Sequence, residues 1–246
     1  MSMSRILLKI AYDGTEYHGW QVQPNGITIQ EVLCSKLSQM YKSNISLTGC
    51  SRTDAGVHAN EFYCHFDQPF IIKEEGIIKG LNSVLPKNIA VFSAETVADD
   101  FHSRYSAKEK NYIYRILNSK IHDPFRENRV WHIERDINLN AINEFCKKIC
   151  GEHDFYAFSS SGRTVSDTVR CVTECNAEKQ GDEIVFSITA NGFLYNMVRI
   201  IVGTAVEVSD GKIQLENIEK AFETKDRSIL GITAPPQGLY LNKVFY

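Results

Sequence analysis

Apolar residues alternate at Ile6, Leu8, Ile10 and Tyr12, the period of a strand with one buried face. Thr28-Ile29-Gln30-Glu31 reads as a capping box, with Thr28 accepting from the helix start and Glu31 reaching back. Behind it Ile29, Val32, Leu33, Leu37, Met40 and Tyr41 form a helical stripe. An apolar run at 45–48 and an alternating run from Phe62 to Phe66 predict two strands around a polar loop. A short helix over 75–84, ended by Pro86, and a strand over 90–97 follow. The order is β-α-β-β-α-β, a split-βαβ unit.

A second copy begins near Lys110, where Tyr112, Tyr114 and Ile116 alternate. The pattern predicts a helix over 139–150 that stops at Gly151 as a left-handed cap. Strands over 169–177 and 184–190 form a hairpin through Lys179-Gln180-Gly181-Asp182. Leu194, Met197, Val198, Ile201, Val202 and Ala205 trace a long amphipathic helix. A helix over 214–223 and a closing strand over 239–244 complete the unit. The halves share no sequence identity, so the repeat is architectural. The expected fold is α+β, with an N-terminal half over 1–105 and a C-terminal half over 106–246.

With 246 residues, 43% hydrophobic and 23% charged, the chain can bury a substantial core. No apolar run approaches a membrane span. The opening Met1-Ser2-Met3-Ser4-Arg5-Ile6-Leu7-Leu8-Lys9 breaks after three apolar residues and does not read as a secretory signal. Seven cysteines, an odd number, suit reduced thiols and a cytoplasmic location. A net charge of −3 argues against a nucleic-acid partner, but its distribution argues the other way. From Phe101 to Val130 there are seven basic residues (Arg104, Lys108, Lys110, Arg115, Lys120, Arg126, Arg129) against three acids, a local charge of +4. Tyr105, Tyr112 and Tyr114 are interleaved with them, a mixture that suits phosphates and unpaired bases, or equally a solvated strand surface.

The stretch Gly49-Cys50-Ser51-Arg52-Thr53-Asp54-Ala55-Gly56-Val57-His58-Ala59 is the most informative of the chain. It sets one carboxylate, Asp54, in a Gly-bounded loop between strands, where functional groups concentrate. Composition alone also allows an ordinary turn, with Asp54 bonding its own backbone. The whole string resembles the Arg-Thr-Asp-Ala-Gly-Val-His signature of the TruA family of tRNA pseudouridine synthases. The likeness continues through Tyr12-Asp13-Gly14-Thr15, Gly19-Trp20-Gln21, Phe101-His102-Ser103-Arg104-Tyr105-Ser106-Ala107 and Lys110-Asn111-Tyr112-Ile113-Tyr114-Arg115. It ends with Asn191-Gly192-Phe193-Leu194-Tyr195-Asn196-Met197-Val198-Arg199 and Ala234-Pro235-Pro236-Gln237-Gly238-Leu239-Tyr240-Leu241. Ser51 stands where Gly is usual, Asn111 where Thr is common, and Glu61-Phe62 where Gly-Gln is frequent.

The resemblance implies two ferredoxin-like halves joined into one extended antiparallel sheet, with the active cleft between them. It implies isomerisation of uridine to pseudouridine in the anticodon stem-loop of tRNA, at tRNA positions 38, 39 and 40. Asp54 would be the one catalytic residue, acting on a flipped-out uridine. Glycosidases usually need two carboxylates, but an isomerase that keeps its leaving base can manage with one. Arg199 would pair with Asp54 and keep it ionised, and its apolar neighbours on the helix make a partner for that charge necessary. Tyr112 would stack on the uracil, or serve as a cross-strand aromatic. Arg52 would help turn the nucleotide out, or clamp a phosphate. His102 and Arg104 would hold phosphate or the loop. Leu241 would meet the uracil edge, though a core leucine is the default. A homodimer gripping tRNA, without metal or cofactor, completes the expectation.

Two other readings stay open: a non-catalytic RNA-binding module, and the same isomerisation at another tRNA site. A zinc site at Cys146, Cys150, Cys171 and Cys175 is disfavoured. Cys146 and Cys150 share a helix face with Ile142, Phe145 and Ile149, while Cys171 and Cys175 lie about 13 Å apart along a strand at ~3.3 Å per residue.

Overall fold

The structure, a computed structural model, describes residues 4–162 and 165–246; Met1-Ser2-Met3 of the opening run lie outside the described residues. The fold is α+β, with ten strands and five α-helices among those residues. The chain divides into two compact units, Met1–Lys108 with Tyr240–Tyr246, and Glu109–Leu239.

The first unit runs β1 (Ser4–Tyr12), α1 (Ile29–Tyr41), β2 (Thr48–Gly49), β3 (His58–Gln68), α2 (Glu74–Val84) and β4 (Ile89–Val97). Its strands are ordered β4-β1-β3, with the short β2 also on β3, the arrangement of a split-βαβ unit. Both β4 and β3 pair antiparallel with β1. The capping reading is half visible: Thr28 Oγ1 accepts from Glu31 N at 3.3 Å. The buried stripe of α1 narrows to Ile29, Leu33, Leu37 and Tyr41.

The second unit contains β5 (Glu109–Asn118), β6 (Trp131–Ile133), α3 (Leu139–Ile149), β7 (Gly151–Asp154), β8 (Val169–Gln180), β9 (Glu183–Ala190), α4 (Met197–Ser209) and α5 (Glu216–Thr224). Its strands are ordered β5-β9-β8-β7, with β6 parallel to the end of β5. The β8–β9 hairpin closes through Gly181-Asp182, since Gln180 pairs with Glu183. Gly151 has φ +110° but opens β7; the residue ending α3, Cys150, is extended.

Helix α4 starts at Met197, three residues later than its apolar stripe suggests, because Asn196 adopts a left-handed conformation at φ 61°. Asn tolerates that conformation where a branched or bulky residue would not. Nearly every side chain from Met197 to Val208 is buried, so α4 is a core helix rather than a surface one.

The last strand, β10 (Leu239–Phe245), pairs parallel with β3 through Tyr240–His58 and Leu241–Ala59. Contacts therefore group Tyr240–Tyr246 with the first unit, whereas a division at 105/106 puts that strand in the second.

The departures in sequence have structural uses. Buried Asn111 donates to Ser187 Oγ at 3.0 Å and Thr189 Oγ1 at 2.9 Å, tying β5 to β9. Glu61 pairs with Lys9 across β1 and β3. Phe62 is fully buried and stacks on Trp20 with ring centroids 4.1 Å apart. Removing that ring leaves a void under the segment preceding α1. Phe62→Ala should destabilise the protein by about 3–5 kcal/mol and Phe62→Leu by clearly less. Urea unfolding followed by tryptophan fluorescence checks both; equal midpoints for Phe62→Ala and the parent would contradict this packing.

Candidate active site

The loop between β2 and β3 is stitched on both sides of Asp54. Upstream, Trp20 N donates to Thr53 O at 3.1 Å, and the Thr53 and Tyr12 hydroxyls lie 2.9 Å apart. Downstream, Gly56 N donates to Tyr17 O at 3.3 Å, and Val57 N donates to Asp54 O at 3.2 Å. Two glycines let the 13–20 turn approach this closely. A Cβ on Gly14 would sit 2.0 Å from Val57 O, and one on Gly19 would sit 2.3 Å from Thr53 O. Gly19 also has φ +83°, a conformation open chiefly to glycine. Main-chain and neighbouring groups thus carry the ties, and Asp54 is presented half-buried while Arg52 lies exposed.

His58, at the start of β3, is buried, with its ring stacked on Tyr240 at 4.6 Å. Leu241 is fully buried opposite Ala59, a core position. His102 and Arg104 are half-buried in a tight turn. His102 Nδ1 accepts from Arg104 N at 3.1 Å and Tyr105 N at 3.3 Å, and His102 O accepts from Ser106 N at 2.8 Å. The Arg104 guanidinium lies 5.8 Å from the ring centre of the exposed Tyr105, within cation–π range.

In the second unit, Tyr112 is buried on β5 and meets Phe193 edge-on at 4.9 Å. Arg199 on α4 donates from Nε to Ala234 O at 2.7 Å and from Nη1 to Asn196 Oδ1 at 2.9 Å. The left-handed Asn196 that delays the helix is therefore also the residue that aims this arginine. Burial raises the Tyr114 phenol well above its usual range, with the Arg199 charge opposing the shift, and its hydroxyl donates to Pro235 O at 2.7 Å.

Part of the basic stretch is already neutralised. Arg115 makes two 2.8 Å bonds to Glu183, and Arg126 contacts Asp123, Asp182 and Glu183. Lys120 lies 3.9 Å from Asp136 on an open surface, where such a pair is weak. The +4 counted along the sequence therefore overstates the charge offered to a polyanion.

Among the described residues no group of three or more His, Cys, Asp or Glu could hold a metal ion, and no helix is long and apolar enough to cross a membrane.

The profile described as tRNA pseudouridine synthase matches residues 9–106 and 145–246. A tRNA pseudouridine synthase A of Thermoanaerobacter sp. strain X514 is 46% identical over 244 residues, covering 99% of this chain and 100% of that protein. One from Exiguobacterium sp. strain AT1b is 45% identical over 99% of this chain and 98% of its own length. A tRNA pseudouridine synthase A 2 of Clostridium perfringens strain 13 is 42% identical, again over 99% and 100%. The chain belongs to the TruA family of tRNA pseudouridine synthases, isomerases that act on uridines of tRNA.

His65, on β3 behind the 102–106 turn, titrates abnormally. Its Nδ1 lies 2.9 Å from Ser103 Oγ and accepts from Ser103 N at 3.2 Å. Burial first, then the nearby Arg5 and His102 charges, lower its pKa from 6.5 to about 4. As pH falls the unfolded chain takes up this proton first, so stability is full above about 6.5 and drains away toward 4. The loss at pH 5 should be about 1–2 kcal/mol. Urea unfolding at pH 7 and pH 5 should show it in the parent and not in His65→Gln; identical pH dependence in the two proteins would contradict it.

Proposed function

We propose that this protein isomerises uridine to pseudouridine at tRNA positions 38, 39 and 40, in the anticodon stem-loop, with Asp54 as its one catalytic carboxylate. The observation that supports this most directly is the Asp54 loop, tied at Thr53, Gly56 and Val57. Rigid presentation is what a group acting on a single flipped-out nucleotide requires.

The reaction breaks the bond between ribose C1′ and uracil N1, turns the base and rebuilds the link through C5. The uracil never leaves and no water enters, so a second carboxylate to activate water has no task. In this reading Arg199 supplies the positive charge that keeps Asp54 ionised as the site desolvates around the substrate. Tyr112, its plane set by Phe193, lies against the uracil. Arg52, exposed beside Asp54, helps turn the nucleotide out, and Arg104 with His102 meets phosphate. Leu241 backs the uracil edge from the core.

The basic stretch is too small, after its ion pairs are counted, to hold a whole tRNA. A cytoplasmic homodimer, with the second subunit gripping the remote body of the RNA, meets that need. Full-length tRNA should then react better than an isolated anticodon stem-loop, and affinity should fall with salt as several counterions are released. A monomer by sedimentation at micromolar concentration, fully active on the bare stem-loop, would defeat the dimer.

Asp54→Asn removes the charge with little change of shape. It should abolish isomerisation while tRNA affinity stays within about tenfold, or about 1.4 kcal/mol. Pseudouridine release assays and filter binding on one purified tRNA check both numbers. Substantial residual turnover would assign the chemistry elsewhere, and a parent protein that binds tRNA without turnover would favour the binding-module reading. Tyr112→Phe should keep stacking, whereas Tyr112→Leu should lose activity; an unaffected leucine variant would remove Tyr112 from the site.

A further inference from the structure

We propose that His58 is the positioning residue of the Asp54 loop, acting through a bare Nδ1 that locks the 13–20 turn across it. The proposal rests on reading Asp54 as the catalytic carboxylate. Gly14 N donates to His58 Nδ1 at 3.0 Å. An amide can donate only into a lone pair, so Nδ1 carries no proton and the neutral ring carries its proton on Nε2. Asp13 Oδ1 lies 3.2 Å from the same Nδ1. With a bare nitrogen that approach is no hydrogen bond, and the same oxygen accepts from Thr15 N at 3.0 Å. Moving the proton to Nδ1 would trade the Gly14 bond for one to Asp13.

The bond matters because of where it sits. His58 follows the loop directly and is 2% exposed, sandwiched against Tyr240, so its ring cannot swing to find another partner. Gly14 is the residue at which a Cβ would sit 2.0 Å from Val57 O, so this part of the turn lies close against the loop. Fixing the Gly14 amide therefore fixes the turn that also bonds Thr53 through Trp20 and Gly56 through Tyr17. Asp54 lies between those two anchored points. His58 touches the loop through the turn, and its effect reaches the carboxylate as a change of backbone position.

A displacement of about 1 Å at a reacting group costs about a hundredfold in rate. His58→Ala should lower kcat by about 10- to 100-fold while KM for tRNA and binding stay within about twofold. His58→Asn places an amide oxygen near the position of Nδ1 and should restore most of the lost rate. His58→Gln carries its oxygen one carbon further out and should not. Equal kcat in parent and His58→Ala, or equal defects in the Asn and Gln variants at equal thermal stability, would overturn the proposal. Should the alanine variant fail to fold, the parent still decides: its imidazole ¹⁵N spectrum at neutral pH should show His58 Nδ1 unprotonated, and a protonated Nδ1 would overturn it. Asp54→Asn measured alongside separates the two claims. Full loss there with an unimpaired His58→Ala overturns the positioning role alone, and retained turnover in Asp54→Asn overturns both.

Discussion

The role proposed for Asp54 sets one constraint: a carboxylate that acts on one nucleotide must be held still, yet it cannot lie within a strand ladder, where it would be out of reach. The Asp54 loop meets this constraint with main-chain bonds from a second turn. Thr53 O and Gly56 N are engaged by Trp20 and Tyr17, the Thr53 hydroxyl meets that of Tyr12, and Val57 N closes the loop on its own Asp54 O. The cost is borne by sequence: Gly14 and Gly19 have no room for a side chain, and Gly19 must take a positive φ. The same turn leads into α1, whose first amides bond Gly19 O and Trp20 O. Strand β1, helix α1 and the loop are thereby one mechanical unit, seated on the Trp20–Phe62 stack.

Hydrophobic periodicity carries most of this architecture because each element buries one face, and burial writes a period into the chain. The strands β1, β4 and β5 and the helices α1, α2 and α3 are legible for that reason. What escapes has a different origin. The start of α4 depends on the left-handed Asn196, and apolar residues on either side of it give no sign of the break. The strands β6 and β7 are too short to show a period, and Gly151 opens a strand where a helix cap was the natural reading. The pairing of β10 with β3 joins Tyr240 to His58, far apart along the chain, which no local pattern records.

The candidate site divides in the same way. Asp54, Arg52, Tyr112 and Arg199 are recognisable because they stand in a motif. The support around them is legible only in part: His58 and Gly14 stand in matched segments and Tyr17 does not, but what all three do shows only in their bonds. Charge counting is the least transferable part. Arg115 and Arg126 reach acids at 182 and 183, far outside the basic stretch, so a linear sum credits the surface with charge that the fold has already spent. A net-acidic chain can still serve a polyanion, but it does so with a few placed cations rather than a broad field.

The loop, as proposed, serves to make pseudouridine in the anticodon arm. Mapping pseudouridine across total tRNA from cells with and without the gene tests it without any assumption about mechanism. The modification should disappear at tRNA positions 38, 39 and 40 and persist everywhere else. An unchanged map, or losses confined to another region of the tRNA, would contradict it.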